Sequence, residues 1–99
     1  MSTSAKRYLE RLQGKLTLGM AIRSIRLSDN KSQTAFAKLL GVSIQYLCDL
    51  EHNRKIVSPK KAKEFAEKLG HSSEQFVRLA IQDSLNFDGI DMLVDVKVA

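Results

Sequence analysis

The stretch that most limits what this chain can fold into is residues 32–54, SQTAFAKLLGVSIQYLCDLEHNR, two short amphipathic segments that meet at Gly41. In the first segment Phe36, Ala37, Leu39 and Leu40 recur at helical spacing, so one face is apolar and Lys38 points elsewhere. Ser32 stands where an N-cap belongs. Gly41 ends the helix cheaply, because the left-handed backbone of a helix C-terminus penalises any residue that carries a Cβ. Ser43 starts the next helix. Ala37 lies where the two helices must approach, and a larger side chain there would force them apart. The stretch predicts a corner of two packed helices.

The second helix of the corner has two unlike faces. At about 100° per residue, Leu47 and Leu50 define the buried direction, while Gln45, Cys48, Asp49 and His52 fall on the opposite side. That side is polar but short-chained, unlike the Lys and Glu fringe of an ordinary solvated helix. Glu51 falls beside the buried stripe. A partly buried carboxylate requires a cation, and Arg26, flanking the apolar side of the preceding helix, is the expected partner in a structural ion pair.

The remaining elements follow in order. Residues 1–15 begin small and polar and then turn basic; Tyr8, Leu9 and Leu12 allow a helical turn, and a loose basic arm is equally open. Residues 16–27 read as a first core helix with Thr17 as N-cap and Leu18, Ala21, Ile22 and Ile25 on one side. Residues 28–31 form a turn by composition. Ser58-Pro59 marks another start, an N-cap followed by proline at the first helical position, with Ala62, Phe65, Ala66 and Leu69 inward and Gly70 at the end. Lys60, Lys61 and Lys63 crowd its first turn, where cations oppose the helix dipole. Ser72 with Gln75 three residues on reads as a capping box for a fifth helix carrying Phe76, Val77, Ala80 and Ile81. The residues Asn86-Phe87-Asp88-Gly89 should break it.

The last ten residues, IDMLVDVKVA, change period. Met92, Val94, Val96 and Val98 alternate with Leu93, Asp95 and Lys97, a strand pattern in an otherwise helical chain. A lone strand leaves its backbone groups without partners, so the expected mate is the same strand of a second copy, antiparallel across a two-fold axis.

Charge narrows the partners. The net charge is +5, but it is unevenly placed: residues 1–70 hold fourteen Lys and Arg against six Asp and Glu, whereas residues 71–99 hold two against five. A polyanion partner for the basic part follows from long-range attraction and counterion release. The single cysteine, Cys48, excludes an intramolecular disulfide framework and suits a reducing cytoplasm. No run of eighteen apolar residues and no signal-peptide pattern is present, so neither a membrane span nor secretion is expected.

The corner resembles the helix-turn-helix of the phage Cro and repressor (xenobiotic-response-element, Cro/C1-type) family of DNA-binding proteins. Gln33, Ala37, Gly41-Val42-Ser43, Leu47, Leu50-Glu51 and Arg54 carry the likeness, and the flanking helices extend it over residues 16–70. The chain departs from the family where Ala35 replaces a frequent Glu of a capping box and Asn53 replaces a frequent Gly; Asn tolerates the left-handed backbone. The resemblance implies an all-α, five-helix, lambda-repressor-like domain over residues 16–85, after an N-terminal arm over 1–15. A C-terminal β-strand for dimerisation over 86–99 completes the layout, and family members with such an extension are commonly dimeric.

On that reading the partner is double-stranded DNA. Gln33, Ser43, His52, Arg54 and Lys55 are the expected phosphate contacts, Gln33 with help from the positive end of its helix. Insertion of the second helix into the major groove brings Ile44, Gln45, Cys48 and Asp49 to base edges. Gln45 can pair bidentately with adenine, Ile44 can touch a thymine methyl, and Asp49 can accept from a cytosine amino group. The expected function is a sequence-specific regulator, a repressor acting as a homodimer on a palindromic operator, cytoplasmic and of bacterial or phage origin. The rival is an antitoxin whose acidic C-terminal part masks a basic toxin protein. An enzyme is not expected: His52, His71 and Cys48 show no metal spacing, no phosphate-cradling glycine loop is present, and no cofactor is called for.

Overall fold

The computed structural model of the chain describes residues 16–99. The readings of Tyr8, Leu9 and Leu12, and of an arm over residues 1–15, lie outside the described residues.

Five helices succeed one another: α1 (Leu18–Ser28), α2 (Gln33–Leu40), α3 (Ile44–Glu51), α4 (Pro59–Leu69) and α5 (Ser73–Phe87). Each begins on a hydroxyl residue whose oxygen accepts the amide N–H three positions on: Thr17 from Met20, Ser32 from Ala35, Ser43 from Tyr46, Ser58 from Lys61 and Ser72 from Gln75. Such a cap is worth about 1 kcal/mol, enough to decide where a helix of two turns begins. Gly41 and Gly70 end α2 and α4 with φ of 74° and 67°. Asn53, at φ 60°, turns the chain out of α3 in the same left-handed region.

The capping box at α5 is only partly realised, since the Gln75 side-chain oxygen accepts from Arg78 Nη2 at 3.2 Å. The helix also runs to Phe87, through the Asn86-Phe87 pair expected to break it. The break comes at Gly89, where φ is 72° and the Ile90 N–H reaches back to the Leu85 carbonyl at 2.9 Å.

The core is one cluster built from the inward stripes, with Phe36 of α2 and Phe65 of α4 as its largest members and Leu18, Ile22, Leu40, Leu47 and Leu50 fully buried around them. Each such side chain contributes about 1.5–3 kcal/mol on leaving water. Leu39, expected on the apolar face of α2, is instead 45% exposed, because it lies roughly 100° from the middle of the arc made by Phe36, Ala37 and Leu40. Val42, Tyr46 and Leu69 pack against the cluster from its edge.

Two contacts fix the helices around the corner. At Gly19 a Cβ would lie 1.8 Å from the Leu50 carbonyl oxygen, so α1 crosses the end of α3 at backbone contact and no side chain fits between them. From α4, Lys68 Nζ donates to the Leu40 carbonyl at 2.9 Å and satisfies one of the open acceptors at the end of α2.

The C-terminal segment departs from expectation. No strand forms among the described residues, and residues 90–99 are irregular. The described residues offer this segment no backbone edge to pair with, and a side chain takes that place. Gln82, 1% exposed in α5, donates from Nε2 to the Met92 carbonyl at 2.7 Å and accepts the Val94 N–H on Oε1 at 2.9 Å. Its carboxamide thus stands in for a neighbouring peptide unit. Val94 and Val96 are half-buried, while Met92 and Val98 are 66% and 77% exposed. Pairing across a dimer is not a property of the single chain.

Candidate functional site

The back of α3 is held by Leu47 and Leu50, both buried, and by Glu51, whose side chain is fully covered. Burial alone would push the Glu51 carboxyl up, but hydrogen bonds from Arg26 and Gln33 outweigh it, and the group titrates below the usual carboxylate range. Arg26 Nε and Nη2 lie 2.7 and 2.9 Å from the two carboxylate oxygens, and Gln33 Nε2 donates to Oε1 at 3.1 Å. Gln33 is the first residue of α2, so this one carboxylate ties α1 and α2 to the end of α3.

The front of α3 looks outward. Ile44, Gln45 and His52 are exposed, and Cys48 and Asp49 are half-buried among their neighbours. These side chains are linked to one another. Gln45 Nε2 and Arg54 Nε both donate to Asp49 Oδ1, at 2.9 and 3.0 Å, and Arg54 Nη2 donates to Cys48 Sγ at 3.6 Å. The Arg54 guanidinium beside Asp49 holds that carboxyl below its ordinary range, and Asp49 in turn raises the Arg54 pKa.

Of the expected phosphate contacts, Ser43 spends its oxygen lone pair on the Tyr46 N–H and keeps its O–H as a donor. His52 folds back so that Nδ1 lies 2.8 Å from the Cys48 carbonyl. A carbonyl can only accept, so Nδ1 carries the hydrogen and Nε2 is the outward acceptor. Lys55 stands over the Tyr46 ring, 4.7 Å from its centroid. Arg54 lies against Asp49 and Cys48 on the front of α3.

The family described as helix-turn-helix matches residues 22–76, more than half of the chain and the whole of α2, α3 and α4. This chain belongs to the Cro/C1-type helix-turn-helix family. The helix-turn-helix protein is therefore a DNA-binding transcription regulator. No curated protein and no solved structure matches the chain. No described helix is long and apolar enough to cross a membrane.

Three residues that hold the site escape sequence reasoning. Gly19 sits within a helix where nothing local requires glycine; only its contact with Leu50 shows the reason. Gln82 and Asp83 are polar yet buried in α5. Asp83 Oδ2 accepts the Leu18 N–H at 3.0 Å, anchoring the start of α1, while Oδ1 is buried without a partner among the described residues. The three lysines at the start of α4 prove less unusual than their crowding suggests: Lys61 pairs with Glu64 at 3.7 Å and Lys63 with Glu67 at 2.8 Å.

Proposed function

We propose that this protein is a sequence-specific transcriptional repressor that binds a palindromic operator as a homodimer, laying α3 in the major groove. The observation that carries the proposal is the division of α3 into a leucine-held back and an outward front of Ile44, Gln45, Cys48 and Asp49, side chains short enough to approach base edges. Gln33, Ser43 and Lys55 surround that front as phosphate contacts; His52, its Nδ1 hydrogen given to the Cys48 carbonyl, can join them only as the imidazolium. Gln33 serves with the amide hydrogen not given to Glu51, from the N-terminus of α2. The basic excess of residues 1–70 supplies the sequence-independent attraction.

Dimerisation is proposed through residues 92–98. Gln82 occupies one edge of the segment, and successive peptide groups of an extended chain point to opposite sides, which turns the other edge toward solvent for a second copy. The two α3 helices would then read half-sites about one helical turn apart, roughly 34 Å. Selecting bound duplexes from a random pool with the purified protein tests the proposal. A palindromic motif of that spacing is expected, and full affinity for a single half-site would refute the dimer.

The charge division favours a second reading, an antitoxin. Phe87, Met92 and Leu93 are 77%, 66% and 53% exposed in the acidic part of the chain and would suit the surface of a small basic toxin protein. Co-purification of such a protein, encoded beside this one, separates the two readings.

A further inference from the structure

We infer that Arg54 reads a base and is aimed at it by Asp49, leaving the phosphate contacts to Lys55 and its neighbours; the inference rests on the major-groove reading of α3. Arg54 lies beyond the end of α3, yet its side chain returns along the helix. Nε donates to Asp49 Oδ1 at 3.0 Å, Nη2 donates to Cys48 Sγ at 3.6 Å, and the Arg54 backbone N–H donates to the Asp49 carbonyl at 2.8 Å. Backbone and head group are both tied to the same helical turn.

The orientation is the informative part. A guanidinium presents its five donors as a rigid planar fork. The side formed by Nε and Nη2 is turned onto Asp49 and Cys48. The end formed by Nη1 and the second hydrogen of Nη2 makes no hydrogen bond among the described residues, on a side chain that is 55% exposed. Two parallel donors on that end match O6 and N7 of guanine in the major groove. A phosphate also accepts such a fork bidentately, so the choice between the two rests on place: Arg54 is anchored to Asp49 and Cys48, the residues of the front that approach base edges. Lys55, stacked on Tyr46, is left to the phosphates.

The arrangement also resolves the difficulty that Asp49 presents. A bare carboxylate directed at a phosphate-lined groove is repelled, whereas Asp49 paired with Arg54 forms a unit with no net charge. Its Oδ1 also accepts from Gln45, one turn earlier. Gln45, Asp49 and Arg54 therefore form a continuous strip along the front of α3, and the preferences set by Gln45 and Arg54 are coupled through one oxygen atom.

The experiment selects binding sites with the full chain, in wild-type form and as Arg54→Lys, Arg54→Ala and Asp49→Asn, and measures the salt dependence of each on the selected site. Arg54→Lys keeps the charge but loses the fork. It should lower the preference for guanine at one position in each half-site by about 5- to 150-fold and leave the salt slope unchanged. Asp49→Asn should weaken the same position although it removes a negative charge from the DNA-facing side, and its effect should disappear in an Arg54→Ala background. Circular dichroism melting checks that the variants fold, and Arg54→Gln replaces Arg54→Ala should that one fail to fold. Base preferences unchanged in Arg54→Lys, with a salt slope smaller by about one in Arg54→Ala, would make Arg54 a phosphate contact and overturn the inference. If the wild-type protein selects no motif at all, the major-groove reading fails and the inference with it.

Discussion

Arg26 and Glu51 meet side-on, Nε to Oε2 at 2.7 Å and Nη2 to Oε1 at 2.9 Å, although 25 residues separate them. The third guanidinium nitrogen, Nη1, donates to the Lys31 carbonyl at 3.0 Å in the turn before α2. One guanidinium thus fixes the end of α1, the turn into α2 and the end of α3. The angle between α2 and α3 is set by this planar charge geometry as well as by leucine packing, since a bidentate pair holds direction where apolar contacts alone allow sliding.

Removing the charge at Glu51 should therefore destabilise the fold. In Glu51→Gln the Arg26 side chain, 11% exposed, keeps its burial and loses its counterion, which by analogy with other buried pairs costs about 3–5 kcal/mol. Urea unfolding at neutral pH should show a lower midpoint with an unchanged slope, and Arg26→Lys should lose less because a point charge remains. Equal midpoints for wild type and Glu51→Gln would show the pair to be decorative.

Gly19→Ala should also destabilise the fold, for a steric reason. The added methyl would overlap the Leu50 carbonyl, which is backbone and cannot rotate away. Helices α1 and α3 must then separate, at a cost of about 1–3 kcal/mol or more. Because Leu50 adjoins Glu51, the shift should also loosen the Arg26 pair and weaken DNA binding beyond the loss of folded protein. Alanine raises helix propensity, so a variant as stable as wild type would show that α1 is free to move.

Gln45→Ala and Lys55→Ala should differ in kind. Truncating Gln45 is expected to reduce preference at one operator position by about 1–3 kcal/mol with the salt slope intact, whereas truncating Lys55 should weaken all sequences alike and lower the slope. Competition binding on specific and random duplexes at several salt concentrations reads both. Identical effects of the two changes would remove the division between base and phosphate contacts.

The parts of this molecule legible in its sequence are those governed by local chemistry. Thr17, Ser32, Ser43, Ser58 and Ser72 announce helix starts because a hydroxyl satisfies an amide three residues away, and Gly41 and Gly70 announce ends because φ there is positive. The leucine stripe of α3 follows from periodicity. What periodicity cannot reveal is a partner distant in the chain. Gly19 answers to Leu50, Gln82 to Met92 and Val94, and Asp83 to Leu18, none of which shares its helix. The strand pattern of the last ten residues misleads for the same reason: alternation describes a side-chain preference, while a strand also needs a neighbouring backbone, which the described residues do not provide. On the front of α3, spacing identifies the outward residues but not the hydrogen bonds that join Gln45, Asp49 and Arg54.

Asp83 should make stability depend on pH in the sense opposite to most carboxylates. Burial raises its pKa to about 6, against the lowering effect of the Leu18 N–H. A folded-state value above the unfolded one means that the folded chain binds the proton more tightly, so the contribution is present at low pH and is lost as pH rises through about 6. At neutral pH the ionised group opposes folding by about 2–3 kcal/mol on that basis. Asp83→Asn keeps an acceptor for the Leu18 N–H and removes the charge. Its melting temperature should exceed that of wild type at pH 7.5, by on the order of 10 °C, and the two should converge as pH falls below the unfolded value of 3.8. A difference that does not vary with pH would refute the assignment.

The C-terminal segment offers a test in which proline separates two backbone edges. Gln82 binds the Met92 carbonyl and the Val94 N–H, so the peptide N–H of Leu93 points the other way, along the edge proposed to meet a second copy. Leu93→Pro removes that donor and obstructs the edge, yet it leaves both Gln82 bonds in place and permits the extended backbone that proline imposes on Met92. The monomer should keep its thermal stability. Sedimentation should show the wild-type chain as a concentration-dependent dimer and Leu93→Pro as a monomer, with binding to a palindrome reduced to the level of a half-site. Gln82→Ala releases the segment from α5 and should weaken the dimer for a different reason, with a lower melting temperature as its signature. A wild-type chain that stays monomeric at high concentration, or a Leu93→Pro chain that dimerises as well as wild type, would place the dimer contact elsewhere or abolish it, and with it the expectation of a palindromic operator.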